Sequence, residues 1–387
     1  MIKNVTNSIV YVGVDDTDID LFESQYLVPN GVSYNSYLIL DEKVAVMDTV
    51  DLRKCDEWLD NLEKALDGRT PDYLVVQHLE PDHAGSIAKF LARYPQVQVV
   101  ASDKAVKMMP QFFFDVEFEG RISGVKEGDT LALGSHTLHF AMAPMVHWPE
   151  VMVTYESSEK VLFSADGFGK FGALSCNEEW TDEARRYYIN ICGKYGAPVQ
   201  ALLKKASQLD IAIICPLHGP VLTENLGYYI GLYDTWSKYE PEEEGVVVAY
   251  ASIHGNTAEV ARTFADMLRA KSDMKVVVYD LARSDMAKAI EDSYRYSRLV
   301  VAAASYDGDV FPPMHDFLYH LSIKGFSKRR IGIIENGSWA PTAGRAMRAI
   351  IDKFKDVTVV DSQVTIMSRM KPSDMAALEA LADKMLE

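Results

Sequence analysis

The 387-residue sequence has few cysteines, no long apolar run and a shortage of basic residues. Its four cysteines, Cys55, Cys176, Cys192 and Cys215, form no CxxC pair. This pattern excludes a disulfide framework and a CxxC-type zinc or iron site within the chain. No apolar run approaches the roughly 20 residues that cross a bilayer, and the first residues show no signal-type segment. We therefore expect a cytoplasmic protein with reduced thiols and no membrane segment.

The shortage of basic residues is uneven along the chain. There are 39 Lys and Arg against 56 Asp and Glu, for a net charge of −17. Residues 246–387 hold 19 basic and 18 acidic residues, which leaves 20 and 38 for residues 1–245. Nucleic acid is not an expected partner, because a surface this acidic repels phosphate backbones. The charge changes at residues 239–245, where Pro241, Gly245 and four glutamates predict a boundary between domains 1–243 and 246–387.

The C-terminal part alternates regularly between strand and helix patterns. Apolar strands are predicted at 246–253, 275–281, 298–306, 329–336 and 357–366. Helical spacing follows each of them, at 257–271, 285–292, 312–323, 342–354 and 373–386. Five such units in about 140 residues predict an α/β fold with a doubly wound parallel sheet.

The N-terminal part mixes strand pairs with helices. A hairpin at 37–40 and 44–47 precedes a helix at 52–66 and a strand at 72–77. Further strands are predicted at 97–101, 137–143, 151–156, 161–164 and 211–215, and further helices at 86–93, 181–194 and 224–238. Such a mixture predicts sheets covered by helices on their outer faces, an αββα sandwich.

Metal-ligand side chains follow several of these strands. Four of them lie within six residues after the strand at 72–77, and three more follow later strands: His78, Glu80, Asp82, His83, His147, Asp166 and His218. Each alone is more often an ordinary loop residue, but four of the nine histidines fall in this set. Seven N and O ligands are more than one catalytic zinc site uses. The set therefore predicts two metal ions, with Asp166 as the candidate bridging ligand. A mixture of imidazole and carboxylate ligands suits iron, manganese or zinc, so the ligand set does not select among these metals.

Three loops of the C-terminal part predict a second site, at one edge of the parallel sheet. Hydroxyls, a glycine and free helix N–H groups in the first loop suit a phosphate monoester. Tyr306 and Trp339 in the other loops suit stacking on a flat ring. The candidate residues are Ser252, His254, Gly255, Asn256, Thr257, Ser305, Tyr306, Asp307, Gly308, Gly337, Ser338 and Trp339.

The HxExDH motif at 78–83, with the later His147, Asp166 and His218, resembles the metallo-β-lactamase-like domain of flavodiiron proteins. The segments 31–39 (GVSYNSYLI) and 147–149 (HWP) are also similar to family segments. Hydrolases of this fold usually carry His where Glu80 stands, and the resemblance implies iron in place of zinc. The three C-terminal loops resemble the FMN site of flavodoxins. The resemblance spans essentially the whole chain, and implies a metallo-β-lactamase-like αββα sandwich followed by a flavodoxin-like sheet.

The resemblance also implies a set of roles. One iron takes His78, Glu80 and His147, the other takes Asp82, His83 and His218, and Asp166 bridges them, with no catalytic residue beyond the ligands. FMN passes electrons to the irons, which reduce O₂ to water, NO to N₂O, or both. The family implies a head-to-tail homodimer or a dimer of dimers, with rubredoxin or reduced coenzyme F420 as electron donor.

Two features depart from the common family form, and two other functions remain open. Phe171 stands where the family often has His, which puts the substrate preference in question, and the second flavin loop lacks a frequent Ser-Pro-Thr triplet. The alternatives are a zinc hydrolase fused to a flavodoxin domain and an electron carrier with a vestigial metal site.

Overall fold

The computed structural model describes residues 2–387 as two compact units. The first extends to Tyr188 and continues over Ala197–Tyr233, and the second comprises Ile189–Gly196 and Asp234–Glu387. The domain limits 1–243 and 246–387 stay a prediction. Every helix within residues 2–387 is too short or too polar to reach across a bilayer.

Up to residue 238 the chain forms short strands and helices. The strands are β1 (Lys3–Asn4), β2 (Ile9–Tyr11), β3 (Val14–Asp16), β4 (Leu21–Phe22), β5 (Tyr26–Leu27), β6 (Val32–Tyr34), β7 (Tyr37–Leu40), β8 (Val44–Met47), β9 (Tyr73–Val76), β10 (Gln98–Ser102), β11 (Ile122–Val125), β12 (Thr130–Ala132), β13 (Thr137–Met142), β14 (Met152–Glu156), β15 (Val161–Phe163) and β16 (Ile213–Cys215). The helices are α1 (Cys55–Leu66), α2 (Pro81–Ala84), α3 (Ile87–Arg93), α4 (Asp103–Phe112), α5 (Trp180–Ile191), α6 (Gly196–Ala206) and α7 (Leu226–Ser237).

Two sheets form the core of the first unit. One has the strand order β1-β2-β7-β8-β9-β10-β11 and the other β12-β13-β14-β15-β16. Tyr37 and Met47 of the first sheet share a buried cluster with Phe140 and Phe163 of the second, so the two sheets pack face to face. The predicted sandwich is confirmed.

Helix α1 shows how the sequence pattern covers a sheet. Its buried residues include Cys55, Trp58, Leu62 and Leu66, which lie on one face of an amphipathic helix. The Trp58 ring packs 5.6 Å from that of Phe90 on α3. The helix ends at Asp67, whose φ of 47° lies in the left-handed region typical of helix termini.

The second unit is a parallel sheet with helices between its strands. Its strands are β17 (Glu243–Ala251), β18 (Lys275–Asp280), β19 (Tyr296–Tyr306), β20 (Asp309–Val310), β21 (Arg330–Asn336), β22 (Thr358–Val359) and β23 (Val364–Ile366). Its helices are α8 (Asn256–Lys271), α9 (Met286–Arg295), α10 (Pro312–Ile323), α11 (Ala343–Ile351) and α12 (Met375–Leu386). The order β18-β17-β19-β21-β22 is the 2-1-3-4-5 order of flavodoxin-like folds, which confirms the predicted doubly wound sheet.

Two local predictions are wrong. The single strand predicted at 357–366 is divided into β22 and β23, because residues 360–363 leave the ladder between them. No helix was predicted between the strand at 72–77 and the helix at 86–93, but α2 begins at Pro81 and carries Asp82 and His83. Proline suits the first position of a helix, since its missing N–H would have no partner there.

Candidate metal centre

The predicted ligands lie just beyond strand ends of both sheets in the first unit. His78 follows β9, and α2 places Asp82 and His83 one turn later. Asp166 follows β15 and His218 follows β16, and these two strands are parallel neighbours. Because parallel strands end at the same edge, their following loops converge there.

Four of these side chains form a first group, His78, Glu80, His147 and Asp166, whose ligand-type atoms lie within 4.8 Å of one another. Nε2 of His78 lies 3.3 Å from Oε2 of Glu80 and 3.2 Å from Oδ2 of Asp166. Nε2 of His147 lies 2.9 Å from the same Glu80 oxygen and 3.4 Å from the same Asp166 oxygen. This group has the spacing of a set of metal ligands.

Asp82, His83 and His218 form a second group with the same spacing. Oδ2 of Asp82 lies 3.4 Å from Nε2 of His83 and 3.2 Å from Nε2 of His218. The other carboxylate oxygen of Asp166, Oδ1, faces this group, 3.2 Å from His83 and 3.9 Å from His218. Asp166 therefore presents one oxygen to each group, as a bridging carboxylate would.

The buried carboxylates and unpartnered ligand atoms of the two groups favour the binding of cations. Ligand-type atoms of Asp82, His83, Asp166 and His218 are buried without a hydrogen-bond partner among residues 2–387. Burial and the nearby Glu80 and Asp166 carboxylates raise the pKa of Asp82 to about 7, despite the opposing effect of His83. Buried carboxylates held this close together are costly unless cations neutralise them. The donor set therefore fits two metal ions.

One further side chain and one backbone carbonyl group, both absent from the sequence prediction, orient two of the imidazoles. Nδ1 of His78 lies 2.8 Å from Oε1 of the buried Glu150, and Nδ1 of His218 lies 2.7 Å from the Ser33 carbonyl oxygen. With Nδ1 engaged, each ring turns Nε2 toward the cluster, an arrangement typical of metal-binding histidines. The HWP segment next to Glu150 was the only sequence signal for this contact.

Aromatic rings surround the second group. Phe22, on β4, lies edge-on to the His218 ring at 5.4 Å, and Tyr187 lies at the same distance on another side. Phe171 packs against both Phe22 and Tyr187 and is buried, with the Arg186 guanidinium 4.5 Å above its ring. Phe171 is therefore part of an apolar wall that limits the access of water.

In the second unit, a cavity of about 600 Å³ lies beyond the carboxyl ends of the sheet strands. All the predicted flavin-loop residues line it except Gly255, which lines an adjacent cavity. The Gly255 φ of +95° favours glycine, and a Cβ there would meet no atom within 4 Å. The backbone of this loop is thus open to a ligand at the N-terminus of α8.

The other loops complete this cavity. Trp339 is 90% exposed and its ring is open to stacking, whereas Tyr306 is 44% exposed and packs partly against Phe311, with ring centroids 5.6 Å apart. Ser305 accepts hydrogen bonds from the backbone N–H groups of Thr342 and Ala343, so it also orders the loop before α11. Sequence reasoning missed Ser368, which lines the cavity after β23 and donates to Ser338 at 2.9 Å.

The first unit, with its sandwich and its ligands at one edge, is a metallo-β-lactamase-like domain, and the second is flavodoxin-like. Residues 32–219 match the family model described as ODP family beta lactamase. An anaerobic nitric oxide reductase flavorubredoxin of Aliivibrio fischeri is 27% identical over 388 residues, covering 97% of this chain and 77% of that protein.

Solved structures agree with this fold over the whole chain. The rubredoxin oxygen:oxidoreductase of Desulfovibrio gigas has a TM-score of 0.92 and 24% identity, covering 100% of this chain and 98% of that one. The flavodiiron protein of Giardia intestinalis has a TM-score of 0.91 and 24% identity, covering 100% and 97%. The chain is thus similar in sequence to flavorubredoxins and in fold to flavodiiron proteins over its whole length, which confirms the resemblance found in the sequence.

Proposed function

We propose that this protein is a flavodiiron oxidoreductase that reduces O₂ to water, NO to N₂O, or both, at a non-haem diiron site supplied with electrons through FMN. The observation that carries this proposal is the position of Asp166 between two groups of ligands, with one carboxylate oxygen toward each. The names of the relatives, a nitric oxide reductase and a rubredoxin oxygen:oxidoreductase, support both substrates.

In this proposal His78, Glu80 and His147 hold one iron, Asp82, His83 and His218 hold the other, and Asp166 joins them. Iron held by these residues would supply coordination sites and reducing equivalents for the gas. The protein keeps the imidazoles of His78 and His218 in position through Glu150 and the Ser33 carbonyl oxygen, and the rings of Phe22, Phe171 and Tyr187 limit the access of water beside His218. Ligands held in fixed positions beside an apolar wall favour reaction of a small apolar gas over side reactions with water.

The cavity of the second unit suits FMN in size and chemistry. At about 600 Å³ it lies within the usual range for cofactor pockets. The loop from Ser252 to Thr257 offers hydroxyls and helix N–H groups to the phosphate, and Tyr306 and Trp339 offer aromatic faces to the flavin ring.

The remaining assignments follow the family resemblance. They are a cytoplasmic location, a head-to-tail homodimer or a dimer of dimers, and rubredoxin or reduced F420 as the electron donor. An acidic rubredoxin would be repelled by the acidic residues 1–245, so we expect it to dock on the nearly neutral residues 246–387. Charge reversal on residues 246–387 should therefore change the association rate and its salt dependence more than charge reversal confined to the N-terminal part.

The test combines metal analysis with gas consumption. Purified protein is analysed for iron, zinc and FMN, reduced without oxygen, and assayed separately for O₂ and NO consumption on the same sample. We expect about two irons and one FMN per chain and turnover of at least one gas. Zinc without iron would favour the hydrolase alternative, and full cofactors without turnover of either gas would favour an electron carrier.

A further inference from the structure

A second large cavity opens in the flavodoxin-like unit, at the edge of the sheet opposite the flavin pocket. Its volume is about 590 Å³, which is within the range of small-molecule sites. It is lined by residues that precede three sheet strands: Tyr239 before β17, Phe326 and Lys328 before β21, and Phe354 before β22. Since the flavin pocket lies beyond the carboxyl ends of the strands, the two cavities are separate.

Lysines dominate the lining of this cavity. Five of them contribute, against the carboxylate of Asp356: Lys194, Lys238, Lys328, Lys353 and Lys355. Lys238 pairs with Asp234 at 2.5 Å and Lys328 pairs with Glu240. Among residues 2–387, no carboxylate oxygen lies within 4.0 Å of the ammonium groups of Lys194, Lys353 or Lys355. Such a concentration of unpaired positive charge is unexpected in a protein of net charge −17.

A buried guanidinium adds to this charge from behind the cavity wall. Arg329 is 2% exposed and donates to the backbone carbonyl oxygens of Tyr239, Ser327, Tyr294 and Tyr296. Two of these residues, Tyr239 and Ser327, line the cavity. Within residues 2–387 no carboxylate oxygen lies within 4.0 Å of this guanidinium. Burial lowers the pKa of Arg329 to about 10, so the group stays charged at neutral pH.

The direct partners of this buried cation are carbonyl dipoles, and the Glu240 and Glu242 carboxylates act on it only from beyond 4.0 Å. Because its field is weakly screened in the protein interior, it makes the wall more attractive to an anion. The lining also includes the apolar or aromatic side chains of Tyr239, Ile323, Phe326 and Phe354, together with Ser322 and Ser327. The site thus combines ammonium groups for an anionic part of a ligand with rings and an aliphatic side chain for an apolar part.

We propose that this cavity binds an organic phosphate, and that the ligand class is the nucleoside phosphates. Lys194, Lys353 and Lys355 would contact the phosphate, since they are the lining lysines without a carboxylate partner. Lysine donors bind phosphate as point charges, and ring-bearing ligands gain from the aromatic lining. The concave shape favours a small molecule over an acidic protein surface. The proposal concerns a site separate from the iron and flavin sites.

The test is calorimetric titration of the FMN-saturated holoprotein with ADP, with inorganic phosphate and with adenosine. FMN saturation prevents ADP from entering the flavin pocket. We expect ADP to bind most tightly, with inorganic phosphate and adenosine each at least about tenfold weaker, because each supplies only one part of the ligand.

The variant K353Q/K355Q should bind ADP at least about tenfold more weakly, since it loses two charge-assisted contacts. The control K104Q/K107Q removes two exposed lysines of α4 in the other unit and should bind ADP within twofold of wild type. Unchanged FMN content shows that a variant is folded. Equal ADP affinity in K353Q/K355Q and wild type, phosphate binding as tight as ADP, or no binding of any probe would each overturn the proposal.

Discussion

Nδ1 of His78 lies 2.8 Å from Oε1 of Glu150, and the same oxygen accepts the backbone N–H of Leu79 at 3.0 Å. Glu150 therefore fixes both the ring and the backbone at the start of the HxExDH motif. Burial lowers the pKa of His78, but Asp166, Glu150 and Glu80 raise it well above its usual value. The imidazole thus lies in a strongly negative environment that a metal ion would share.

Replacing this carboxylate should weaken metal binding at the first group. We expect Glu150→Gln to lower iron affinity there by about 10- to 100-fold, because the amide is a poorer acceptor for the His78 ring. The measurement is iron content after dialysis against graded chelator. The matched control is Glu156→Gln, another buried glutamate, which accepts the backbone N–H groups of Ser158 and Glu159. If Glu150→Gln and wild type lost half of their iron at the same chelator concentration, the positioning role of Glu150 would be refuted.

Replacing the candidate bridging residue Asp166 and replacing the single ligand His78 should have different effects on the metal content. Asp166→Asn keeps nearly the same shape but removes the charge shared by both groups, so we expect both irons to be lost. His78→Ala should lower occupancy of one iron more than of the other. Iron and FMN are measured together in each variant. Loss of FMN with iron retained would show that the ligand assignment is incorrect.

Charge at the loop before α8 should control FMN binding. Gly255→Asp places a carboxylate where a phosphate is expected and should weaken FMN affinity by at least about tenfold through repulsion. Gly255→Asn is the matched control, because Asn has nearly the same shape and tolerates a positive φ similarly. Fluorescence titration of the FMN-free protein gives both affinities. Equal weakening in the two variants would assign the effect to backbone strain instead of charge.

Phe171 offers a test of the departure from the family pattern. Phe171→His should lower the free energy of unfolding by about 2 kcal/mol, because it buries ring nitrogens between Phe22 and Tyr187. Phe171→Leu stays apolar and should cost less. We expect the iron content to be unchanged in both. Denaturant unfolding and iron analysis provide the measurements, and a smaller loss in Phe171→His than in Phe171→Leu would contradict this account.

A hydrogen-bonded carboxylate far from the metal ligands, Asp41, should contribute to the pH dependence of stability in acid. Burial raises the pKa of Asp41, but hydrogen bonds from the His136 side chain and backbone outweigh it and hold the pKa well below its usual range. A lowered carboxyl pKa stabilises the fold above the unfolded-state value of about 4, and this contribution disappears as the pH falls through the folded-state value.

We therefore expect Asp41→Asn to lower the free energy of unfolding by about 2 kcal/mol at neutral pH. Below about pH 4 the difference from wild type should shrink. The measurement is denaturant unfolding of metal-free protein across this pH range, with the exposed Asp60→Asn on α1 as control. A difference that stays constant with pH would contradict the assigned role of this carboxylate.

The sequence predicts the position of candidate ligands best where they closely follow apolar strands. His78 after β9 and His218 after β16 are such cases, since strand periodicity gives the position of the sheet edge. By contrast, the contact of Glu150 with His78 joins residues 72 positions apart and exists only in the folded sheet arrangement. The short strands β1 to β6 also escaped prediction, because two or three residues are too few to show a period.

The candidate metal ligands are far apart in the sequence, and this separation has a consequence for the order of folding and metal binding. Side chains from residues 78 to 218 meet at one edge, and several hydrogen bonds of the first unit join equally distant segments, such as Asn35 with the Pro216 carbonyl. Contacts of such high sequence separation form late, since long loops must close first. Iron loading should therefore follow completion of the sandwich. An incompletely synthesised or truncated chain would then leave histidines and carboxylates dispersed, with little affinity for either metal ion.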